Sequence, residues 1–409
     1  MDGRGSRVAV VLHGLSGGGI ERSLLSLAEG FLERGLAVDL VVGEASGALV
    51  NDVPEAARLV ELGKVRVRRA RLHGLAADPL TFPLLLRSRD RMGMLKPLTR
   101  QLPSLATYLR EARPDAMLSA EAQYNLLAVW GRRLSGTGPR LAVSEHITVS
   151  HSATFGGPWA DAPLRRVLRR AYLKADAIVA VSEGTGDDLA AHAGISRARI
   201  TTVYNPVVRP DLAVRAQAPL AHPWFAPGAP PMILGAGRLD PQKDFATLIR
   251  AFARLRARRS ARLMILGAPN PARPECADEL RTLAADLGIA DDVSLAGFQE
   301  NPFAYMSRAA VFALSSSYEG LGNVLIEALA CGTPTVSTDC SSGPSEILDR
   351  GRFGRLVPVG DDAALAEAIS STLETPPDRD RLRARGAIFS IERAADRYLD
   401  LLLPSRGGA

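Results

Sequence analysis

Two glutamates eight positions apart, Glu319 and Glu327, flank a glycine turn in the stretch SSSYEGLGNVLIEALACGTPTVSTDCSSGPSEIL, which runs from Ser315 to Leu348. Gly320 and Gly322 let backbone N–H groups approach a ligand where any β-carbon would intrude. Asn323 is the expected N-cap of the helix VLIEALA, with Leu325, Ala328 and Leu329 as its apolar face. Such a helix start, with unpaired N–H groups, is a natural seat for phosphate. Glu327 falls in the expected first turn, too close to a phosphate for comfort, and reaches sideways to hydroxyls instead. Carboxylates beside a phosphate seat suit a phosphorylated sugar.

Either glutamate alone would read as a helix-dipole complement or a solvated loop carboxylate. Together, with glycines between them and Gly343-Pro344 closing the next loop, they read as one site. A second constellation opens the same half of the chain. The strand MILGAG ends at Gly237 and is followed by Arg238 and, five positions on, Lys243, across a proline turn at a helix start. A guanidinium fork and an ammonium point charge so placed can make a phosphate clamp, although on their own the two would read as surface residues. In the first half, the strand Arg7–His13 leads into the glycine loop Gly14–Gly19 and an amphipathic helix, although the spacing is not that of the dinucleotide fingerprint. His146 ends another strand, at the side where open α/β sheets bind ligands; a histidine hydrogen-bonded in a loop is the equal alternative. Phe298, in the loop Gly297–Glu300, is either a ligand contact or plain core.

These residues need a scaffold, and 409 residues at 46% hydrophobic content are too many for one ordinary core, so two domains are expected. Strands alternate with helices throughout, which predicts two βαβ-type domains with parallel sheets. The proline- and alanine-rich stretch 209–231 is the expected linker. Three cysteines without C-x-x-C spacing argue for a reducing compartment and against a structural zinc. No run is long enough for a membrane span or shaped like a signal peptide, so a cytoplasmic protein is expected. Net charge is +6 with aromatics at 5%, which points to an anionic partner or surface other than nucleic acid. Between Lys64 and Arg113 twelve basic residues stand against three acidic ones. Beside the apolar run PLTFPLLL, this excess reads as an interfacial patch. Arg87, Arg89, Arg91 and Lys96 are its expected membrane and acceptor contacts, with Leu84–Leu86 inserting.

The stretch from Glu319 to Leu348 resembles the E-x7-E signature of retaining nucleotide-sugar glycosyltransferases of family 4, in the form found in bacterial enzymes that build surface polysaccharides and lipid-linked oligosaccharides. The likeness is strong from Pro231 to Pro358 and weaker before that. It implies the GT-B fold: two Rossmann-like α/β domains facing across a cleft, with a C-terminal helix crossing back to the first. The expected boundaries are 1–208 for the acceptor domain, 209–231 for the linker, 232–385 for the nucleotide-sugar domain and 386–409 for the crossover helix and tail. The resemblance implies that Arg238 and Lys243 hold the donor diphosphate, and that Gly18 and Gly19 approach the donor phosphates and the acceptor. It implies also that Gly237, Gly320, Leu321, Gly322, Asn323 and Val324 line the donor, that Phe298 lies along the nucleobase, and that Glu327 binds ribose. Glu319 would bind sugar hydroxyls and His146 would face the transferred sugar. Ile147 stands where relatives often have asparagine.

The implied reaction moves a hexose or N-acetylhexosamine from a nucleotide sugar, UDP-linked by expectation, to a lipid-linked saccharide or polysaccharide at the inner membrane face. The expected catalytic set is Glu319, His146, Arg238 and Lys243. No cofactor or metal is required, since positive groups and N–H donors can carry the diphosphate charge, and the sole D-x-D, Asp378-Arg379-Asp380, lies away from any strand end. A front-face path assisted by a donor phosphate oxygen is expected over double displacement through a carboxylate. The competing readings are a nucleotide-sugar epimerase on the same fold and a non-catalytic basic membrane-binding protein.

Overall fold

The computed structural model describes residues 5–83, 99–154, 162–271 and 273–404. The chain divides into two compact units, residues 1–206 with 391–409, and 207–390. Each is built on one wholly parallel sheet.

The first unit has a seven-stranded sheet in the order β3-β2-β1-β4-β5-β6-β7. Its strands are β1 (Arg7–Leu12), β2 (Ala37–Val42), β3 (Arg58–Glu61), β4 (Ala116–Ala120), β5 (Arg140–Glu145), β6 (Ala177–Ala180) and β7 (Ile200–Thr202). The near-continuous apolar run of β1 follows from burial on both faces, as expected of a parallel sheet covered by helices. Side chains alternate across it. Val8, Val10 and Leu12 join one core with Leu24, Leu27 and Phe31, and Ala9 and Val11 join another with Leu105, Leu127 and Trp130. Helix α1 (Gly19–Glu33) covers the first face.

The helix Ile391–Leu402 returns to this same face and buries Ala394, Ala395, Tyr398 and Leu402 in that core. Its approach to α1 is close: a β-carbon on Gly30 would lie 2.9 Å from both Ala395 and Ile391. Arg34 of the α1 C-cap fastens the pair by donating to Asp396 at 2.7 Å and to the Glu392 carbonyl at 2.8 Å.

The second unit has a six-stranded sheet in the order β10-β9-β8-β11-β12-β13. Its strands are β8 (Met232–Ala236), β9 (Arg262–Leu266), β10 (Val293–Gly297), β11 (Val311–Leu314), β12 (Thr335–Thr338) and β13 (Arg355–Val357). Sequence order reverses between β8 and β11, so these two strands, neighbours in the sheet, send their following loops in opposite directions. That divergence opens the crevice at which doubly wound sheets bind ligands. In the first unit the same reversal lies between β1 and β4.

The stretch 209–231 is more structured than its composition suggests. It carries a short helix, Leu212–Gln217, and is stitched to the second unit. Arg308 donates to the Ala216 carbonyl at 3.1 Å, and the Arg215 guanidinium lies 4.7 Å from the Phe303 ring centre. Arg262 stacks at 4.6 Å over Trp224. Loop residues so anchored belong to a folded surface rather than a free tether.

Candidate functional site

The two loops that leave the switch point of the second sheet are knitted together. After β8, Gly237 (φ +149) and a 3₁₀ turn over Pro241–Lys243 lead into the helix Phe245–Arg256, capped by Asp244, whose carboxylate accepts from Thr247 N at 3.2 Å. After β11, Ser315–Gly322 leads into the helix Asn323–Ala330. Ser317 N donates to the Gln242 carbonyl at 2.8 Å, the Gln242 side chain donates to the Tyr318 carbonyl at 2.9 Å, and Ser315 Oγ donates to the Lys243 carbonyl at 2.7 Å. Three cross-loop bonds thus fix the Lys243 backbone against the Glu319 turn, 76 positions away in sequence.

Their side chains meet. Lys243 Nζ lies 2.6 Å from Glu319 Oε1, and Ser316 Oγ donates to the same oxygen at 2.7 Å. Glu319 is only 6% exposed. Among the described residues Oε2 accepts no hydrogen bond, so one carboxylate oxygen is held and the other remains available to a ligand hydroxyl. Two of the three Lys243 N–H bonds are likewise left for a ligand. Arg238 is exposed and makes no hydrogen bond or ion pair among the described residues.

The glycine turn behaves differently from its expected capping. Gly322, at φ +99, is the N-cap, and Asn323 is already the first helical residue. The physical reason is the left-handed backbone at position 322, which glycine adopts without steric cost. The helix therefore starts one residue earlier than VLIEALA, and Glu327 stands in its second turn, half-buried, rather than its first. Leu325, Ile326, Ala328 and Leu329 form its fully buried face. The next loop presses down on the turn: a β-carbon on Gly343 (φ +90) would sit 1.8 Å from the Leu321 carbonyl oxygen. Only glycine permits that approach.

Phe298 is 63% exposed and so is not core. Asp378 and Asp380 are both engaged. Asp378 caps the helix Arg379–Gly386 by accepting from Arg381 N at 2.8 Å, and Asp380 pairs with Arg383. Among the described residues no three of His, Cys, Asp or Glu gather so as to hold a metal ion. Burial pushes the thiols of Cys331 and Cys340 up to about 12, which makes them inert packing residues.

In the first unit, Gly18 is the N-cap of α1 and Gly19 its first residue. Glu21 in that first turn accepts from Ser16 Oγ at 2.6 Å. His146 follows directly on β5 and is 7% exposed; burial holds its imidazole down at about 4, hence neutral near pH 7. Its Nε2 lies 3.0 Å from Ser144 Oγ, which lies 3.1 Å from the Tyr398 hydroxyl. Behind them Asn125 donates to the Ser144 carbonyl at 3.0 Å and to the Tyr172 hydroxyl at 2.7 Å, and Tyr172 donates to Glu145.

Glu121 follows β4 directly, as the N-cap of the helix Ala122–Ser135, in an unusual conformation for a side-chain-bearing residue, φ +71 with ψ +140. Burial, and then the nearby Glu21 charge, push its carboxyl up to about 7. Sequence reasoning passed over Glu121, Ser144, Ser316 and Tyr398. The available signals were a carboxylate at the strand end next to the β1–β4 reversal and a tyrosine on the apolar stripe of the last helix. Arg87, Arg89, Arg91, Lys96 and Leu84–Leu86 lie outside the described residues.

A model of the glycosyl transferases group 1 matches residues 221–388, and a model of glycosyltransferase family 4 matches residues 17–209. The D-inositol 3-phosphate glycosyltransferase of Nocardia farcinica is 30% identical over 380 residues, which are 90% of this chain and 79% of that protein. The chain belongs to glycosyltransferase family 4. A second member, the N-acetylgalactosamine-N,N'-diacetylbacillosaminyl-diphospho-undecaprenol 4-alpha-N-acetylgalactosaminyltransferase of Campylobacter jejuni, is 36% identical over 235 residues, 56% of this chain. Against that enzyme and two lipopolysaccharide core biosynthesis glycosyltransferases of Rhizobium meliloti, the match spans 61%, 51% and 57% of the relatives' own length. The family's GT-B fold is found also in the solved structure of Anabaena Alr3699/HepE in complex with UDP and glucose. That chain is 18% identical, with a TM-score of 0.73 over 97% of this chain and 99% of that one.

Proposed function

We propose that this family 4 member is a retaining glycosyltransferase that moves a hexose or N-acetylhexosamine from a UDP-sugar to a lipid-linked saccharide or polysaccharide of the cell envelope. The observation that carries the reading is the half-occupied Glu319 carboxylate. One oxygen is fixed by Lys243 and Ser316 and the other is left over. A carboxylate tied to an ammonium is a poor nucleophile but a well-placed acceptor for sugar hydroxyls. This favours a front-face path, in which a donor phosphate oxygen assists the acceptor hydroxyl, over double displacement. The remaining Lys243 hydrogens, Arg238 and the N–H groups from Gly320 to Val324 would neutralise the departing diphosphate. Glu327 would bind the donor ribose, Phe298 would lie along the base, and Gly18 and Gly19 would approach the phosphates. In the first unit, His146 would face the transferred sugar. UDP is supported by the Anabaena neighbour's ligand, and a lipid-linked acceptor by the Campylobacter relative's name.

The test is turnover of a panel of UDP- and GDP-sugars against lipid-diphosphate saccharides, run with and without EDTA. One donor–acceptor pair should turn over with retention of anomeric configuration and without loss in EDTA. Inversion, or a loss restored only by a divalent ion, would refute the mechanism.

A reversible membrane contact belongs to the same proposal. The helix Val67–Ala77 exposes Val67, Leu72 and Leu75, with Leu80 following, among exposed Arg66, Arg68, Arg69 and Arg71. No helix among the described residues is long and apolar enough to cross a membrane. Each arginine near an anionic bilayer contributes about 1 kcal/mol. Changing these four arginines to glutamine should release the protein from anionic liposomes. Unaltered sedimentation would leave this face a solvated one.

A further inference from the structure

His146 poses a satisfiability problem. Its Nδ1 is buried and has no hydrogen-bond partner among the described residues, while Nε2 faces Ser144 Oγ at 3.0 Å. Ser144 is fully buried and its hydroxyl also meets the Tyr398 hydroxyl, on the helix Ile391–Leu402, at 3.1 Å. Tyr398 is 1% exposed. A buried phenol has one hydrogen to place, and among the described residues its partner is Ser144. Tyr398 therefore donates to Ser144 Oγ, and Ser144 passes its own hydrogen to His146 Nε2. An imidazole that accepts at Nε2 carries its proton at Nδ1. The atom left without an acceptor is then a donor.

We propose that Tyr398 is a positioning residue that acts through Ser144 to hold His146 as the Nδ1–H tautomer, leaving one neutral donor for an uncharged sugar oxygen. The ligand class rests on the transferase reading above; the tautomer does not. A neutral donor suits a hydroxyl, whose binding gains nothing from a full positive charge, and the buried ring stays neutral because burial opposes its protonation. The hydrogen-bond chain also explains why a phenol is present on a helix stripe otherwise occupied here by Ala394, Ala395 and Leu402.

The experiment uses the full chain labelled with ¹⁵N-histidine. Long-range ¹H–¹⁵N correlation at neutral pH should show His146, assigned by its loss in His146→Gln, with a protonated Nδ1 and an unprotonated Nε2. In Tyr398→Phe, which keeps the ring and loses only the hydroxyl, Ser144 is free to accept, and the ring proton should redistribute toward Nε2. Ser144→Ala supplies a second variant should Tyr398→Phe fold poorly. Both should lower kcat about three- to tenfold with little change in donor KM, and the double variant should be no worse than Ser144→Ala. An Nε2–H ring in the parent protein, or an unchanged tautomer in both variants, overturns the proposal even if the protein proves not to be a transferase. A redistributed tautomer with unchanged kcat overturns the ligand-facing role while leaving the transferase reading intact.

Discussion

The polar networks of the two units solve opposite problems. Around Glu319 an anion is held by a cation, with Arg238 exposed beside the same loops and free of any ion pair among the described residues. Around His146 the chain that leaves Nε2 runs through two hydroxyls, Ser144 and Tyr398, and the ring is neutral. The first arrangement leaves positive charge to spare and suits a ligand that arrives with charge. The second suits orientation, since neutral hydrogen bonds constrain geometry at low cost in desolvation. Under the proposed function, affinity and alignment would be drawn from different chemistry, so damage to each should look different.

The largest expected effect is at the charged pair. Lys243→Ala leaves Glu319 buried without its counter-charge and should cost on the order of 3–5 kcal/mol of stability. Adding Glu319→Gln should recover most of that loss, by urea unfolding, without restoring activity. Glu319→Gln alone should lower kcat by roughly 10²–10³. Equal stability for Lys243→Ala and the double variant would mean that the pair is a surface contact.

The neutral network should reveal itself through pH. The folded pKa of His146 lies below its ordinary 6.5, so its contribution is present above that value and is lost as pH falls toward about 4. Glu121 works the other way. Its folded pKa is raised from 4.5 to about 7, so its contribution is present below pH 4.5 and is lost as pH rises through about 7. The two should oppose each other between pH 4.5 and 6.5. In Glu121→Gln, unfolding free energy should drop by about 3 kcal/mol from pH 6.5 to 4; in His146→Gln it should drop by about 3 kcal/mol from pH 4.5 to 7. Parallel slopes in the two variants would refute the assignment.

The smallest effect is expected at Arg238 and Glu327, the residues proposed above to hold the donor. Arg238→Ala should weaken UDP binding by about 1.5–3 kcal/mol and leave the melting temperature unmoved. Glu327→Ala should also weaken it, by calorimetry. Unchanged nucleotide affinity in both would refute the proposed donor roles of these two residues.

Much of this was legible in the sequence, for reasons that differ by residue. Strand–helix alternation predicts two parallel sheets because period-2 and period-3.6 patterns are local. The E-x7-E stretch and the Arg238/Lys243 spacing are local as well. The Lys243–Glu319 pairing is not, since only the neighbouring positions of β8 and β11 bring it about. The cap at Gly322 was misread as Asn323 because side-chain preference was weighed above backbone handedness. Ser144 and Tyr398 were invisible because a serine in a strand and a tyrosine on an apolar helix stripe signal nothing until they meet, 254 positions apart. Composition marked 209–231 as the linker between domains but carried no sign of its contacts, the cation–aromatic stacking on Trp224 and Phe303.

The helix Ile391–Leu402 also sets an order of assembly. Its side chains complete a core whose other members begin at Val8, whereas residues 207–390 contain all the strands of their own sheet. On the ribosome the unit translated first is therefore the one finished last. Its seven strands are all translated by residue 202, but the face under α1 stays incompletely covered until residue 402 has left the exit tunnel. Released chains clipped between Ser390 and Tyr398 would keep the whole second unit joined to a first unit with one face half covered.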